Sequence, residues 1–418
     1  MRVLHLTTEF PPVIYGGLGT AVGGWVTASA RAGISVAVQL VEGPLIVDGG
    51  VTSTYYGYGY GGFRTAAPTA QARPASGNVP FFQSSWSRAI ELGIRTVQTW
   101  QPDVVHLHTA MLWYVADAIK SATKVPLVYH VHSVDRAEYE IGYEPNPWLA
   151  HSHAQDQAIA ASDRLIALTR SEADLLARYY PEVRAKVRVV GNGIDDSEEA
   201  RAAAFRPRPP GPPLVLYSGR LVERKGIREL LDAIPRVLDA APGTCFVLAG
   251  GPPPLTGDQV AQQWLTTQHA SYRDRIYFTG WLSPRDVYRW YATADVLVVP
   301  SRYEPFGMVV LEGMLHGLPV IAAKVGGPAD ILEHGHTGLL FPPRDVTALA
   351  AAICRLVENA EERRRMGHAA ARDVRRTWLW ERLVPEMLEV YEELQPDMPP
   401  HAPLREVVRS ETFTSGMV

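Results

Sequence analysis

Short runs of apolar, mostly β-branched residues recur along the chain and are separated by longer segments of helical character. In the first half, the pattern predicts strands over residues 3–7, 35–41, 104–107, 127–131 and 165–168. A glycine-containing loop over 11–19 and a helix over 21–31 join the first strand to the second. Apolar runs without strict alternation are typical of parallel strands covered on both faces. The pattern therefore predicts an open, doubly wound α/β sheet.

A proline-rich break interrupts the pattern at residues 196–213, because the run RPRPPGPP at 206–213 can form neither a helix nor a central strand. We interpret the break as a linker between a domain of residues 1–195 and a second doubly wound domain of residues 214–375. In the second domain the pattern predicts strands over 214–218, 245–249, 276–279, 296–299 and 319–323, and helices over 227–238, 284–292, 308–316 and 346–359. A helical segment near 378–394 and a disordered tail over 396–418 complete the chain.

The predicted architecture has one natural place for chemistry. Open parallel sheets bind ligands at the carboxyl ends of their strands, and two such sheets meet at the crevice between the domains. The segment over 43–87 departs from the pattern, because it is poor in charge and has the run YYGYGYGG at residues 55–62. Two interpretations of this segment stay open: a surface hairpin, and a loop that contacts a ligand.

Composition and charge narrow the class of protein. Hydrophobic residues make up 46% and charged residues 20%, which is ordinary for a globular chain. The 40 basic and 44 acidic residues give a net charge of -4, which supports neither nucleic-acid binding nor a polybasic membrane surface. Two cysteines, Cys245 and Cys354, exclude a disulfide framework, so we expect a cytoplasmic protein. We expect neither a signal peptide nor a transmembrane segment, because the required apolar runs are missing.

The sharpest motif is SRYEPFGMVVLE at residues 301–312, between a predicted strand and a predicted helix. Gly307 lets the backbone approach a ligand, and the helix that follows points its free N–H groups at an anion, which favours a diphosphate site. Glu312 can accept two hydrogen bonds from ribose hydroxyls, and Glu304 can face a sugar. The alternative is a solvated pair of glutamates at a helix start, where acidic residues are favoured in any case.

Glu-Pro-Phe-Gly with a second Glu eight positions on resembles the E-x7-E signature of retaining GT-B glycosyltransferases, most closely glycosyltransferase family 4 with the glycogen and starch synthases. Other segments along most of the chain are similar to family segments. In order they are EFPP (9–12), YGGL (15–18), DVVHLH (103–108), HVH (130–132), NGID (192–195), GRL (219–221), KG (225–226) and GGPAD (326–330). Several ordered matches are more specific than one motif.

The resemblance implies an α/β protein of the GT-B fold. Two Rossmann-like, doubly wound parallel-sheet domains would face each other across a cleft, and a C-terminal helix at 376–395 would return to the N-terminal domain. The C-terminal domain would bind a nucleotide-diphosphate sugar, which we expect to be linked to UDP. The N-terminal domain would hold the acceptor, and a hexosyl unit would pass to an acceptor hydroxyl with retention at the anomeric carbon.

The resemblance also implies roles for particular residues. His132 would face the reacting sugar, and Glu304 would orient that sugar. Arg220 and Lys225 would neutralise the leaving diphosphate, although a plain basic surface turn beside Arg224 and Arg228 is the alternative. Donor binding is expected at Gly16, Gly17, Asn192, Gly280, Leu282, Phe306, Gly307, Met308 and Glu312.

We expect transfer without a metal or another cofactor. His106 and His108 alternate on one strand, and no third ligand follows at zinc-like spacing.

The N-terminal domain is shorter than in the synthases, so we expect a small hydroxylated molecule or a short saccharide as acceptor. Three alternatives stay open: a glucan synthase, a sugar-nucleotide epimerase, and a non-catalytic subunit that binds nucleotide sugars. The sequence leaves the oligomeric state open.

Overall fold

The computed structural model describes residues 1–11, 14, 16–40, 46–47, 79–141, 149–205, 211–251, 256–265 and 267–395. Within them the chain forms two α/β units, each built on one sheet. The Tyr- and Gly-rich run at 55–62 and the tail predicted to be disordered at 396–418 lie outside the described residues.

The first sheet has seven strands in the order β3-β2-β1-β4-β5-β6-β7, and all pairs are parallel except the pair of β2 with β3. The strands are β1 (Arg2–Leu6), β2 (Ser35–Gln39), β3 (Ile46–Val47), β4 (Val104–Leu107), β5 (Leu127–Val131), β6 (Arg164–Ala167) and β7 (Val187–Val189). The helices of this unit are α1 (Gly17–Arg31), α2 (Val79–Trp100), α3 (Trp113–Thr123), α4 (Asp135–Glu140), α5 (Leu149–Ala161) and α6 (Arg170–Tyr179). The order reverses between β1 and β4, so a crevice opens there at the carboxyl ends of the strands.

The second sheet has six parallel strands in the order β10-β9-β8-β11-β12-β13. The strands are β8 (Leu214–Ser218), β9 (Cys245–Ala249), β10 (Ile276–Gly280), β11 (Val296–Val299), β12 (Val320–Ala323) and β13 (Gly338–Phe341). The helices are α7 (Glu198–Phe205), α8 (Ile227–Ala240), α9 (Gly257–Trp264), α10 (Pro284–Thr293), α11 (Met308–Leu315), α12 (Gly326–Ile331), α13 (Val346–Glu358) and α14 (Ala360–Thr377). Here the order reverses between β8 and β11, which places the 301–312 motif at the second crevice.

The last helix, α15 (Trp380–Glu392), returns to the first unit as expected. Trp380 meets Trp25 of α1 edge to face, with ring centroids 4.9 Å apart, and both rings are buried. Just beyond the helix, the Glu393 carboxylate accepts hydrogen bonds from Arg164 and Arg188 of the first sheet. The chain therefore crosses between the units twice, and α15 shares the core of the first.

The structure adds a helix where we predicted only linker. Helix α7 occupies residues 198–205, ahead of the proline run, and its Ala204 packs directly against Gly317. Gly317 has a φ of 73°, and a side chain there would overlap the Ala204 backbone, so the close approach requires glycine.

The division of the chain at residues 195 and 213 stays a prediction. Among the described helices, none combines the length and the apolar character needed to cross a membrane.

Candidate active site

The loop that carries Glu304 and Phe306 is packed against a glycine pair from the next loop of the sheet. Gly327 N–H donates to the Glu304 carbonyl at 2.8 Å. A side chain on Gly327 would overlap the Phe306 carbonyl, and one on Gly326 would overlap the Glu304 carbonyl. The two segments that resemble the family therefore touch each other, and this close backbone contact explains why residues 326 and 327 are both glycine.

Helix α11 begins at this loop with an open N-terminus. Gly307 is the N-cap residue, with a φ of 96°, and it has no side chain that could bond to the N–H groups of the first turn. Met308 is partly exposed, and Gly17 of the first unit lies opposite it, because a Cβ on Gly17 would be 3.8 Å from Met308 Cγ. A helix N-terminus without a cap favours an anion. The glycine loop of the first unit and the head of α11 thus face each other across the crevice.

Glu304 and Lys225 form an ion pair at the base of this loop. Lys225 Nζ donates to Glu304 Oε2 at 2.6 Å, and the Ser301 hydroxyl donates to the same oxygen at 2.9 Å. Burial would by itself raise the pKa of Glu304, but Lys225, Arg224 and Ser301 hold that pKa below its ordinary value. Burial also lowers the pKa of Lys225, and Glu304 opposes that shift. The carboxylate is therefore ionised and fixed in direction.

Glu312 lies one turn into α11 and is half-buried. Its Oε2 accepts a hydrogen bond from the buried Tyr291 hydroxyl at 2.7 Å, and burial raises the pKa of the carboxyl group. Within the described part of the chain, Oε1 has no hydrogen-bond partner. This leaves one carboxylate oxygen for a ligand.

Arg220 lies at the carboxyl end of β8, and the expected donor-binding residues Gly280 and Leu282 lie at the carboxyl end of β10. Arg220 is exposed, makes no ion pair with any described residue, and its carbonyl accepts a hydrogen bond from the Tyr217 hydroxyl at 2.7 Å. Gly280 has a φ of 72°, and its carbonyl accepts from Gly250 N–H at 3.2 Å. Leu282 packs against the core of the second unit. These residues lie at strand ends, where open sheets bind ligands.

In the first unit, His132 follows β5 and belongs to a cluster of five histidines at the ends of β1, β4 and β5. The others are His5, His106, His108 and His130, and all four are buried. Burial lowers the pKa of His5 and of His132 to about 3 and holds the pKa values of the other three well below the usual range. All five rings are therefore neutral near pH 7.

The structure corrects our reason for doubting a metal at His106 and His108. Spacing along the chain offered no third ligand, but the fold brings His5 to them and His130 and His132 to His108. Each of these two trios has nitrogen atoms within 4.8 Å of one another. The sequence carries no signal for this, because His5 lies on β1 and reaches β4 only through the strand order.

Two other expected residues have structural partners. Asn192 is buried, and its side-chain oxygen accepts from the Trp25 indole at 3.3 Å. Gly16 is exposed, and its N–H donates to the Glu9 carboxylate at 3.2 Å. Their roles in donor binding stay predictions.

Several contacts across the crevice went unpredicted. Arg224, which we considered part of a surface turn, is largely buried and forms an ion pair of 3.0 Å with Glu138 of the first unit. The Tyr303 hydroxyl donates to Glu172 Oε2 at 2.8 Å and accepts from Val134 N–H at 3.0 Å. These partners lie far apart in sequence, so no local pattern could indicate them. The Tyr303 contacts place the loop that follows His132 against the loop that carries Glu304.

Comparisons with known proteins agree with this architecture. Residues 15–198 match the family described as Glycosyltransferase Family 4, and residues 198–373 match the one described as Glycosyl transferases group 1. A glycogen synthase of Mycobacterium tuberculosis is 31% identical over 404 residues, which cover 94% of each chain.

Two solved structures share the fold. Sucrose-phosphate synthase from Thermosynechococcus elongatus has a TM-score of 0.74 at 23% identity and covers 95% of this chain and 100% of its own. Anabaena HepE in complex with UDP and glucose has a TM-score of 0.65 at 18% identity, with coverage of 94% and 100%.

The fold and the site define a glycosyltransferase of the two-domain GT-B class. The two domain matches and the full-length relative then place it more narrowly: the chain belongs to glycosyltransferase family 4.

Proposed function

We propose that the protein transfers a hexosyl unit from a nucleotide-diphosphate sugar to an acceptor hydroxyl, with retention and without a metal. One observation carries the proposal: Lys225 holds the ionised Glu304 at the open N-terminus of α11, opposite Gly17 of the other unit. An anion site, a fixed carboxylate and a facing glycine loop are what a sugar diphosphate needs.

Each end of the donor has a group of suitable chemistry. The diphosphate would lie at the head of α11, where N–H groups and the helix dipole stabilise negative charge. Arg220 and Lys225 would add positive charge as the bond to the leaving group breaks. Glu312 Oε1 would accept hydrogen bonds from the ribose, and Glu304 would orient the sugar.

Retention follows if the acceptor oxygen attacks from the face that the diphosphate leaves. A diphosphate oxygen then takes the acceptor proton, so the protein need not supply a base there. The crevice would exclude the water that otherwise hydrolyses the donor. His132 lies on the same loop as Val134, which is tied to Tyr303 beside Glu304. That contact supports a role for His132 at the reacting sugar.

UDP is the nucleotide that we propose for the donor. The structure of HepE with UDP and glucose supports it, since that protein shares this fold. The cytoplasmic location expected from the sequence stays a prediction.

For the acceptor we propose a small hydroxylated molecule or a short saccharide. A glucan is the second candidate, and the glycogen synthase relative, similar over nearly its whole length, favours it. Deletion of residues 55–62 tests our choice. If that run covers a small acceptor, transfer should fall sharply while donor affinity stays unchanged, whereas a glucan that outperforms all small acceptors would contradict us.

Calorimetry with UDP, ADP, GDP and dTDP identifies the nucleotide, and turnover of the matching sugars with and without acceptors identifies the reaction. Proton NMR of the product reports the anomeric configuration. An inverted product, or a donor epimerised without any acceptor, would overturn the proposal. Binding of nucleotide sugars without any turnover would favour the non-catalytic alternative.

A further inference from the structure

Three of the five histidines are joined end to end by hydrogen bonds. His5 Nδ1 lies 2.9 Å from His108 Nε2, and His108 Nδ1 lies 3.3 Å from His132 Nε2. The chain runs from the buried interior at β1 to the partly exposed His132 at the crevice. Both nitrogens of His108 are used within it.

The ring geometry favours hydrogen bonds over a shared metal ion. A metal must lie close to the plane of every imidazole that binds it. Each trio contains a stacked pair: His106 on His108 with centroids 4.2 Å apart and 25° between planes, and His130 on His132 at 4.4 Å and 19°. The planes of two stacked rings are nearly parallel and separated from each other. One ion therefore cannot lie in line with a nitrogen lone pair of both rings.

His5, at the buried end of the three histidines, determines which nitrogen donates and which accepts in each of their hydrogen bonds. A neutral imidazole has one donor nitrogen and one acceptor nitrogen, so the chain can run in either of two senses. His5 Nε2 is buried without a partner among the described residues. If it carried the proton, a buried N–H would be unpaired, which is rarer and more costly than an unused lone pair. His5 therefore carries its proton on Nδ1 and donates to His108.

We propose that His5 and His108 are positioning residues that set the tautomer of His132, so that its Nδ1–H points into the crevice as a hydrogen-bond donor. His108 donates from Nδ1 to His132 Nε2, and the proton of His132 is thereby confined to Nδ1. The ring of His132 cannot then act as a base through that nitrogen. Its role is to donate to a ligand oxygen, a part of the inference that rests on the proposed function.

Nitrogen-15 NMR of the ligand-free protein tests the tautomer without any substrate. In free histidine the proton resides mainly on Nε2, so the Nδ1–H form of His132 would be a clear signature. We expect this form in the wild type and the Nε2–H form of His132 in His108→Ala. An Nε2–H proton on His132 in the wild type would overturn the proposal, and so would a tautomer unaffected by His108→Ala.

Kinetics separate positioning from general structural damage. With UDP-glucose as donor, His108→Ala should lower kcat about tenfold, roughly the contribution of one hydrogen bond. His108→Asn should recover most of the loss, because its amide N–H can take the place of Nδ1–H. His130→Phe is the matched control: it keeps a ring stacked on His132 and breaks neither link, so the tautomer should not change.

Two further outcomes are decisive. The first is the detection of one bound metal ion per protein molecule by elemental analysis, with nitrogen-15 chemical shifts of the imidazoles changed by coordination. That result would show a metal site in place of the hydrogen-bonded histidines and would overturn the proposal. The second is the absence of turnover with every nucleotide sugar, which would contradict the proposed function. The tautomer of His132 measured in the ligand-free protein would still show whether His5 and His108 set it.

Discussion

Lys225 Nζ donates a hydrogen bond to Glu304 Oε2 at 2.6 Å, although the family resemblance implies that the lysine acts on the diphosphate and the glutamate on the sugar. The lysine follows β8 and the glutamate follows β11, and these strands are neighbours in the sheet. The two side chains are 19% and 9% exposed. Their charges are thus mutually dependent, and removal of one leaves the other buried without its partner.

Lys225→Ala and Arg220→Ala should therefore differ in stability. Loss of Lys225 removes the cation that bonds directly to the buried Glu304 carboxylate and should cost about 3 kcal/mol of unfolding free energy. Arg220 is exposed and has no ion-pair partner among the described residues, so its loss should change stability by less than about 0.5 kcal/mol. Urea denaturation of both variants checks the difference.

Turnover should fall in both variants, because both cations would act on charge that develops as the diphosphate leaves. We expect kcat of Arg220→Ala to fall about 100-fold. Glu304→Gln with Lys225→Ala completes a double-mutant cycle, and the stability losses should be far from additive. Near-normal kcat in Arg220→Ala, or additive losses in the cycle, would contradict these roles.

Glu312→Gln should weaken binding of the nucleoside diphosphate by about 1.5–3 kcal/mol, because charge-assisted hydrogen bonds to the ribose are lost. Isothermal titration with UDP measures the change. Tyr291→Phe is the control, since it removes the hydrogen bonds of the Tyr291 hydroxyl to Glu312 Oε2 and to Ser218 but keeps the carboxylate, and should have a smaller effect. Unchanged affinity in a folded Glu312→Gln protein would refute the assignment.

We expect the buried Glu172 to make the unfolding free energy depend on pH. Burial raises its pKa from an ordinary 4.5 to about 7, although the hydrogen bond from Tyr303 opposes the shift. Between these values the folded chain binds the proton and the unfolded chain does not, so stability falls as pH rises from about 4.5 to about 7. The loss amounts to about 3 kcal/mol and is complete above that window.

Denaturation at pH 5 and pH 8 tests this in Glu172→Gln, which cannot ionise. The variant should lose less stability than the wild type between the two pH values. Identical pH profiles would show that Glu172 ionises in the folded protein as easily as in the unfolded chain.

Transfer should survive EDTA, because Arg220 and Lys225 supply positive charge where a metal would otherwise act. The assay compares initial rates before and after extensive dialysis against the chelator. A loss that Mg²⁺ or Mn²⁺ restores would reveal a metal requirement.

Much of the architecture is local and was predictable. The strands β4, β5, β8, β9 and β11 have the predicted bounds, because each is a short apolar run between breaking residues. Strand β13 was missed, since four residues beginning with glycine carry little signal. Helix α7 was missed because the prolines that follow it dominate the composition of that stretch. The open end of α11 was predictable because Gly307 and the apolar run after it are adjacent.

By itself, the sequence determined the two sheets, the return of α15 and the residues at the head of α11, because each depends on neighbours along the chain or on an ordered set of motifs. Only the tertiary structure decided which side chains bond to each other. The Lys225–Glu304 pair spans 79 residues, the His5–His108 bond 103 and the Tyr303–Glu172 bond 131. Such pairs depend on which strands become neighbours and how the two units meet, and burial then sets the charges of the groups. No spacing along the chain contains that information, because strand order is a property of the whole fold.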